Sequence, residues 1–331
     1  MRVPDSSPPA PLVAIDPEEA RAALGGRAIG PHVALAHGLN RALERIRVVG
    51  AGAIQVFADN PTAWRRKAEP PPGIDAFRAA LADARVGPLA IHAPYLVNLA
   101  SPDPVVQERS VEVMTTELLM GARYGARYVN VHIGSHKGTG LEPGLERAGE
   151  LVARILDAVP PGPDVPMLVL EDSAGQGDSV GVTMTELGTI LRSAARHGAD
   201  PARAGICLDT AHVWGAGYGV DTEDGVEALV AELAAEVGTD RLAMLHLNDS
   251  RAARGSRADR HEHLGGGSIG AAGMAALLTH PALAAVPAYL ETPGMDTGWD
   301  AVNMDRVRRL LVGRPLPKLP AEAYLARGER V

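Results

Sequence analysis

Eight short apolar runs recur along the chain, each followed by a stretch with helical spacing, and this alternation limits the fold more than any other feature. The runs are AIGPHVA from Ala28, AIQVFA from Ala53, PLAIHA from Pro88, YVNVHI from Tyr128, MLVLED from Met167, GICLDT from Gly205, LAMLHLN from Leu242 and PAYLET from Pro287. Helical stretches at 39–49, 74–84, 104–123, 143–158, 184–196, 223–236, 271–278 and 301–312 separate them. Strands that alternate with helices build parallel sheets, because a parallel connection needs a long crossover. The apolar spacing of ERSVEVMTTELLMGARYG suits a helix lying on such a sheet. No GxGxxG follows the first run, which argues against an open dinucleotide-binding sheet. Eight repeats without a long unstructured insert predict an α/β protein, a (β/α)8 TIM barrel over residues 27–313. Residues 1–26, Pro-rich and then mildly helical, read as an N-terminal extension, and 314–331 as a C-terminal tail.

Composition narrows the chemistry. Aromatic residues make up 3% of the 331, so the core must rest on Ala, Val, Leu and Ile. Cys207 is the single cysteine, so an intramolecular disulfide and a cysteine zinc cluster are both excluded. Any bound metal must be held by His, Asp and Glu. Cys207 itself, inside the sixth run, reads as a buried small hydrophobe. No run reaches the length of a membrane span, and no basic start precedes an apolar segment. The expectation is a cytoplasmic protein without a membrane partner. It is also a monomer with no obligate protein partner, since a closed barrel buries its own core. A formal charge of −8 argues against a uniformly basic nucleic-acid face.

Barrel active sites lie at the C-terminal ends of the strands. Six consecutive runs end in metal-competent residues: His92, His132, Glu171, Asp209, His246 and Glu291. Each alone is more simply a solvated or ion-paired residue. Together, converging on one barrel axis, their carboxylates need compensating protons or cations, and few Lys or Arg stand at matching strand ends. Bound metal is the economical answer. A histidine and carboxylate set without cysteine fits Zn²⁺, with Mn²⁺ or Fe²⁺ as alternatives. His212, three residues after Asp209, and Asp259 and His261 in the long segment after the seventh run add ligands enough for a third ion. His32, His136 and His263 are expected at the same mouth beside the ligands. His37, His197 and His280 are expected to be structural or exposed.

At this point the segments GPHV, HAPYLVNLA, VHIGSH, LEDSAGQG, LDTAH, HLNDS, DRHEHLG and LET can be compared with known families. From about Ile29 to Leu310 the chain resembles endonuclease IV (deoxyribonuclease IV), the zinc-dependent apurinic/apyrimidinic endonucleases. The resemblance implies three zinc ions: one on His92, His132 and Glu171, a second on Glu171, Asp209, His246 and Glu291, a third on His212, Asp259 and His261. It implies incision of duplex DNA 5′ to an abasic site, leaving a 3′-hydroxyl, and removal of 3′-blocking groups. The attack would come from metal-bound hydroxide, with Glu171 as the catalytic residue that orients it. Tyr95 and Leu96 match a wedge that enters the base stack, Asn60 and Trp64 match a second DNA-contacting loop, and Arg260 is expected on phosphate. Three positions depart from the family: Thr62 where Arg is common, Asp172-Ser173 where Asn and Thr are usual, and Gly266 in place of a common Glu. Two other functions stay open. A sugar isomerase or epimerase on the same barrel would use one or two metals, and a non-catalytic protein could bind abasic sites without cutting them.

Overall fold

The computed structural model describes residues 16–324 apart from Asp296, so the first fifteen residues and the last seven, parts of the two predicted tails, lie outside the described residues. Eight strands form one parallel sheet. They are β1 (Ile29–Pro31), β2 (Ile54–Val56), β3 (Leu89–His92), β4 (Tyr128–His132), β5 (Met167–Glu171), β6 (Ala204–Asp209), β7 (Leu242–His246) and, after a two-stranded excursion, β10 (Ala288–Leu290). The excursion is an antiparallel pair, β8 (Asp249–Ser250) and β9 (His261–Glu262). The sheet order β1-β10-β7-β6-β5-β4-β3-β2 leaves β1 and β2 as neighbours across a seam. A parallel bridge between His32 and Gln55 closes it, with Val33 N–H donating to the Gln55 carbonyl at 2.8 Å. Gly30 is obligatory at this seam, because a Cβ there would meet the Ala53 carbonyl oxygen at 1.7 Å. The result is the expected (β/α)8 barrel.

Helices α2 (Leu39–Val49), α3 (Ile74–Asp83), α4 (Pro104–Tyr124), α5 (Leu141–Ala158), α6 (Met184–Arg196), α8 (Glu223–Glu236), α9 (Gly270–Thr279) and α10 (Trp299–Leu311) follow the eight predicted stretches closely. Local chemistry sets their ends. Asp103 caps α4 by accepting from Val105 N–H at 2.8 Å, Pro104 occupies the first turn, and Gly125 ends it with φ 68°. Two helices lie outside those stretches: α1 (Pro17–Ala23) and α7 (Thr210–Ala216). Leu24, directly after α1, is fully buried, so the chain joins the core before residue 27.

The strands are shorter than the apolar runs. Val33 is buried and apolar, yet it lies beyond β1, where the chain already turns into its loop. Burial continues past the ladder because loops at the mouth pack on the same core. Inside the barrel, below the mouth, a separate cluster of Ala53, Ala90, Val169, Cys207, Met244 and Tyr289 forms the floor. Cys207 is a free, fully buried thiol in that layer, as expected. Along the outer wall, the Arg45 guanidinium forks onto Asp300 at 2.6 and 2.9 Å, joining α2 to α10.

Residues 316–324 pack against the barrel. Leu319 and Ala323 are buried beside Trp299, and the Ala323 carbonyl lies 3.0 Å from His263 Nε2. A Cβ at Gly266 would lie 2.6 Å from Leu319 Cδ1. A side chain at Gly266 would have to displace the end of Leu319 and sit 3.0 Å from the His263 carbonyl.

Candidate metal centre

Strand register puts the predicted residues side by side. His132 pairs in register with Glu171, Asp209 with His246, and His92 with Asn130. Because side chains alternate along a strand, Asn130 and His132 face the same way. Glu171 sits at the centre, fully buried. Its Oε2 lies 3.3 Å from His92 Nε2 and 3.7 Å from His132 Nδ1. Its Oε1 lies 3.1 Å from His246 Nδ1 and 3.4 Å from His212 Nδ1. Asn130 Nδ2 donates to Oε2 at 2.5 Å.

The donor atoms fall into three overlapping groups, each within 4.8 Å: His92, His132 and Glu171; Glu171, Asp209, His246 and Glu291; Asp209, His212 and His261. The first two match the sets implied by the resemblance. In the third, Asp209 stands with the two histidines, and Asp259 also lies between them, 3.4 Å from His212 Nε2 and 3.1 Å from His261 Nε2. All nine predicted residues are thus brought to one mouth.

Four of these histidines have one ring nitrogen engaged by a carbonyl or amide oxygen. His92 Nδ1 donates to the Ala93 carbonyl at 2.7 Å, His212 Nδ1 to the Asp172 carbonyl at 3.0 Å, and His261 Nδ1 to the Glu291 carbonyl at 2.9 Å. His246 Nε2 donates to Gln55 Oε1 at 2.9 Å. In the neutral ring these bonds favour the tautomer whose other nitrogen is left as an acceptor, the form metal sites use. His261 Nε2 points between two carboxylates, 3.1 Å from Asp259 Oδ1 and 3.3 Å from Asp209 Oδ2. The carboxylates are steadied likewise. Asp209 Oδ1 accepts from Ala211 and His212 N–H, capping α7, and Asn248 Nδ2 holds Oδ2 at 2.7 Å. That cap is why α7 starts at the strand end and turns His212 back over the site. Gln55 Nε2 donates to Glu291 Oε1 at 2.6 Å.

Electrostatics says the same. Burial pushes the Glu171 carboxyl up, but His132 and His246 outweigh it and hold it well below the usual range. Burial disfavours the His212 and His261 imidazoliums, yet Asp209 and Asp259 raise both well above the usual histidine value. The carboxylates demand positive charge, which protons or cations can supply. A set of hard and borderline donors in this geometry fits divalent metal.

Other expected residues divide. His32 does line the mouth: its Nδ1 is 3.4 Å from Glu291 Oε1 and 3.0 Å from Gln55 Nε2. His136 and His263 are corrections. His136 Nδ1 accepts from Gly140 N–H ahead of α5, and His263 turns away to Asn303 and the Ala323 carbonyl. His136 is spent on local backbone and His263 on segments 40 and 60 residues away, which strand-end counting does not see. His37 is exposed, and His197 and His280 pair with Glu146 and Glu227 on the outer surface. Asp172 is fully buried. Its Oδ1 accepts from Asp209 N–H at 2.6 Å, and burial pushes the carboxyl well up, favouring the neutral form that resembles the usual Asn. Gln55, Asn130 and Asn248 escaped the sequence reading. Asn130 lies two residues before His132, and that spacing on one strand face was the signal.

Tyr95 is 40% exposed, with its ring 5.8 Å from His92 and 6.2 Å from His132. Leu96 beside it is half-buried. Asn60 is exposed and its Oδ1 accepts from Thr62 N–H and Oγ1, both at 2.9 Å. Trp64 is half-buried against the core, with the Arg109 guanidinium 5.9 Å above its ring. Arg260 is exposed and donates to the Asp259 carbonyl at 2.8 Å.

A barrel with this mouth defines a class: residues 43–311 match the xylose isomerase-like TIM barrel family. Within it, the chain is 38% identical over 286 residues to "Probable endonuclease 4" of Methanosphaerula palustris, covering 86% of this chain and 99% of that one. It superposes on the crystal structure of endonuclease IV from Thermus thermophilus with a TM-score of 0.75 at 33% identity, over 86% of this chain and 99% of the other. A D-tagatose 3-epimerase-like protein, 17% identical with a TM-score of 0.64 over 86% of this chain and 97% of the other, shares the fold. The chain belongs to the endonuclease IV family. Among the described residues, no helix is long and apolar enough to cross a membrane.

Proposed function

We propose that this protein is a DNA-repair endonuclease that hydrolyses the phosphodiester 5′ to abasic sites in duplex DNA, leaving a 3′-hydroxyl, and clears 3′-blocked ends. The observation that carries the reading is the set of three overlapping donor groups around Glu171, beneath an exposed tyrosine. His92, His132 and Glu171 would hold one zinc ion, Glu171, Asp209, His246 and Glu291 a second, and His212, Asp259 and His261 a third, with Asp209 in reach of the last. Bound divalent metal supplies Lewis acidity, lowers the pKa of water to give a nucleophile near neutrality, and offsets the phosphate charge. Glu171 faces two groups at once, so its two oxygens orient what lies between them. Asn130 keeps Oε2 in place, and Gln55 and Asn248 keep Glu291 and Asp209 aimed inward. Tyr95 and Leu96 flank the ligands where a wedge would support a flipped-out sugar. Arg260 on the rim is placed for phosphate. A sugar isomerase would leave the His212, Asp259 and His261 group without work, and a non-catalytic binder would have no need of nine intact donors.

The test is incision of a duplex carrying one abasic site, before and after strong chelation. The unaltered chain should cut 5′ to the site, chelation should stop it, and Glu171→Gln should abolish it. Tight abasic binding without metal-dependent cutting, or near-normal rates in Glu171→Gln, would refute the mechanism. Sugar turnover with two or fewer metals per chain would favour the isomerase.

A further inference from the structure

Beneath the loop that follows β2, two ions face each other out of water. The Glu117 side chain, on α4, is 2% exposed and that of Arg66 is 6%, with Arg66 Nη2 and Glu117 Oε1 2.6 Å apart. Nη1 of the same guanidinium donates to the carbonyls of Asn60 at 2.8 Å and Ala63 at 3.1 Å, so the loop curls around its own arginine. Two more contacts pin it. The Tyr124 hydroxyl, also from α4, donates to the Ala58 carbonyl at 3.4 Å, and Tyr95 N–H donates to the Pro61 carbonyl at 3.1 Å. The loop is therefore tied to α4 on one side and, on the other, to the tyrosine that stands over His92.

Such a pair is a poor way to gain stability. Desolvation of two ions offsets most of their attraction, and apolar side chains of the same volume often serve the fold as well. Burial pushes the Glu117 carboxyl up to about 7, with Arg66 opposing the shift and Asp59 adding to it. Glu117 Oε2 has no hydrogen-bond partner. The charge is held against a cost, and the bonds it directs run to loop carbonyls. That pattern specifies a backbone conformation.

We propose that Glu117 and Arg66 are positioning residues that hold the 58–67 loop and Tyr95 as one preassembled surface for base-deficient DNA. Neither side chain reaches that surface; both act through Asn60, Thr62 and Tyr95. The proposal rests on the abasic-DNA reading of this mouth. Preorganisation removes ordering cost from binding, so its loss appears in loop order and in affinity for the damaged duplex.

Two variants test it. At pH 8, where the Glu117 carboxyl is ionised, Glu117→Gln removes the charge and keeps the shape. Glu117→Leu with Arg66→Met removes both charges together, the substitution that spares the fold if a stranded arginine harms the first variant. The probe is a duplex already nicked 5′ to an abasic residue, which cannot be cut again, with the undamaged duplex alongside. In both variants, amides of residues 58–67 should exchange about tenfold faster while those of β3 to β6 are unchanged. Affinity for the nicked abasic duplex should weaken about tenfold, against about twofold or less for the undamaged one. The thermal midpoint of the double variant should stay near that of the unaltered chain. A merely structural role would return affinity along with stability. Unchanged loop exchange in both variants, or full affinity in the double variant, overturns the proposal. If the unaltered chain shows no preference for abasic DNA, the repair reading falls, and the exchange comparison still decides the role of the pair.

Discussion

Gln55→Met isolates what a buried amide contributes to the metal centre. Gln55 is fully buried and bonds three side chains of the mouth. It accepts from His246 Nε2 at 2.9 Å, donates to Glu291 Oε1 at 2.6 Å, and meets His32 Nδ1 at 3.0 Å. Methionine keeps the volume and breaks all three contacts. Two of them orient donors of the same group, Glu171, Asp209, His246 and Glu291. A hydrogen bond to an ionised group is worth about 1.5–3 kcal/mol, and loss of a bond that orients a ligand costs about 10–100-fold in metal affinity. The prediction is a fall of about 10–100-fold, or about 1.4–2.8 kcal/mol, at that group alone. The His212, Asp259 and His261 group, whose backbone partners are untouched, should keep its affinity. Competition against a chromophoric zinc chelator, with metal counted by atomic emission, reads both. An unchanged central affinity, or equal weakening at every position, would show that Gln55 does not orient these donors.

Three further predictions follow from charge. The raised pKa values of His212 and His261 mean that protons occupy the metal-free cluster, so zinc uptake near pH 7 should release protons and affinity should fall as pH falls; calorimetry in two buffers of different ionisation enthalpy will show a proton count of zero if this is wrong. Glu117, raised from 4.5 to about 7, favours folding when protonated, so its contribution is full below pH 4.5 and lost as pH rises through 7. Relative to Glu117→Gln, the unaltered chain should lose about 2.5 kcal/mol between pH 5 and pH 8 in denaturant melts, and parallel curves would contradict it. Asp300→Ala removes the two hydrogen bonds of the Arg45 fork between α2 and α10 and should cost about 1.5–3 kcal/mol of unfolding free energy by the same melts, with no change in metal content; a loss below about 0.5 kcal/mol would mean that solvent already screens the pair.

The alternation of short apolar runs with helical stretches was sufficient to read the barrel, because a parallel sheet leaves strands little choice but to alternate with helices. It was also sufficient to find His92, His132, Glu171, Asp209, His246 and Glu291, since closure carries every C-terminal strand end to one axis. What it could not show is how those residues are held. Gln55 and Asn130 are uncharged amides inside apolar runs, and only the seam between β1 and β2 and the register of β4 against β5 reveal what they touch. His136 and His263 lie far closer in sequence to ligands than His32 does, yet their hydrogen-bond partners turn them elsewhere. The same limit hid α7, which exists because Asp209 caps it, and the Glu117–Arg66 pair, whose partners are 51 positions apart.

The chain's own pattern therefore determined the architecture and the chemical types that gather at its mouth, because periodicity and strand-end position are local properties. Tertiary structure alone decided which atoms face inward, which residues steady them, and that Asp209 stands with the third group. Those depend on side-chain direction and on contacts between distant segments, and a one-dimensional order does not encode distance.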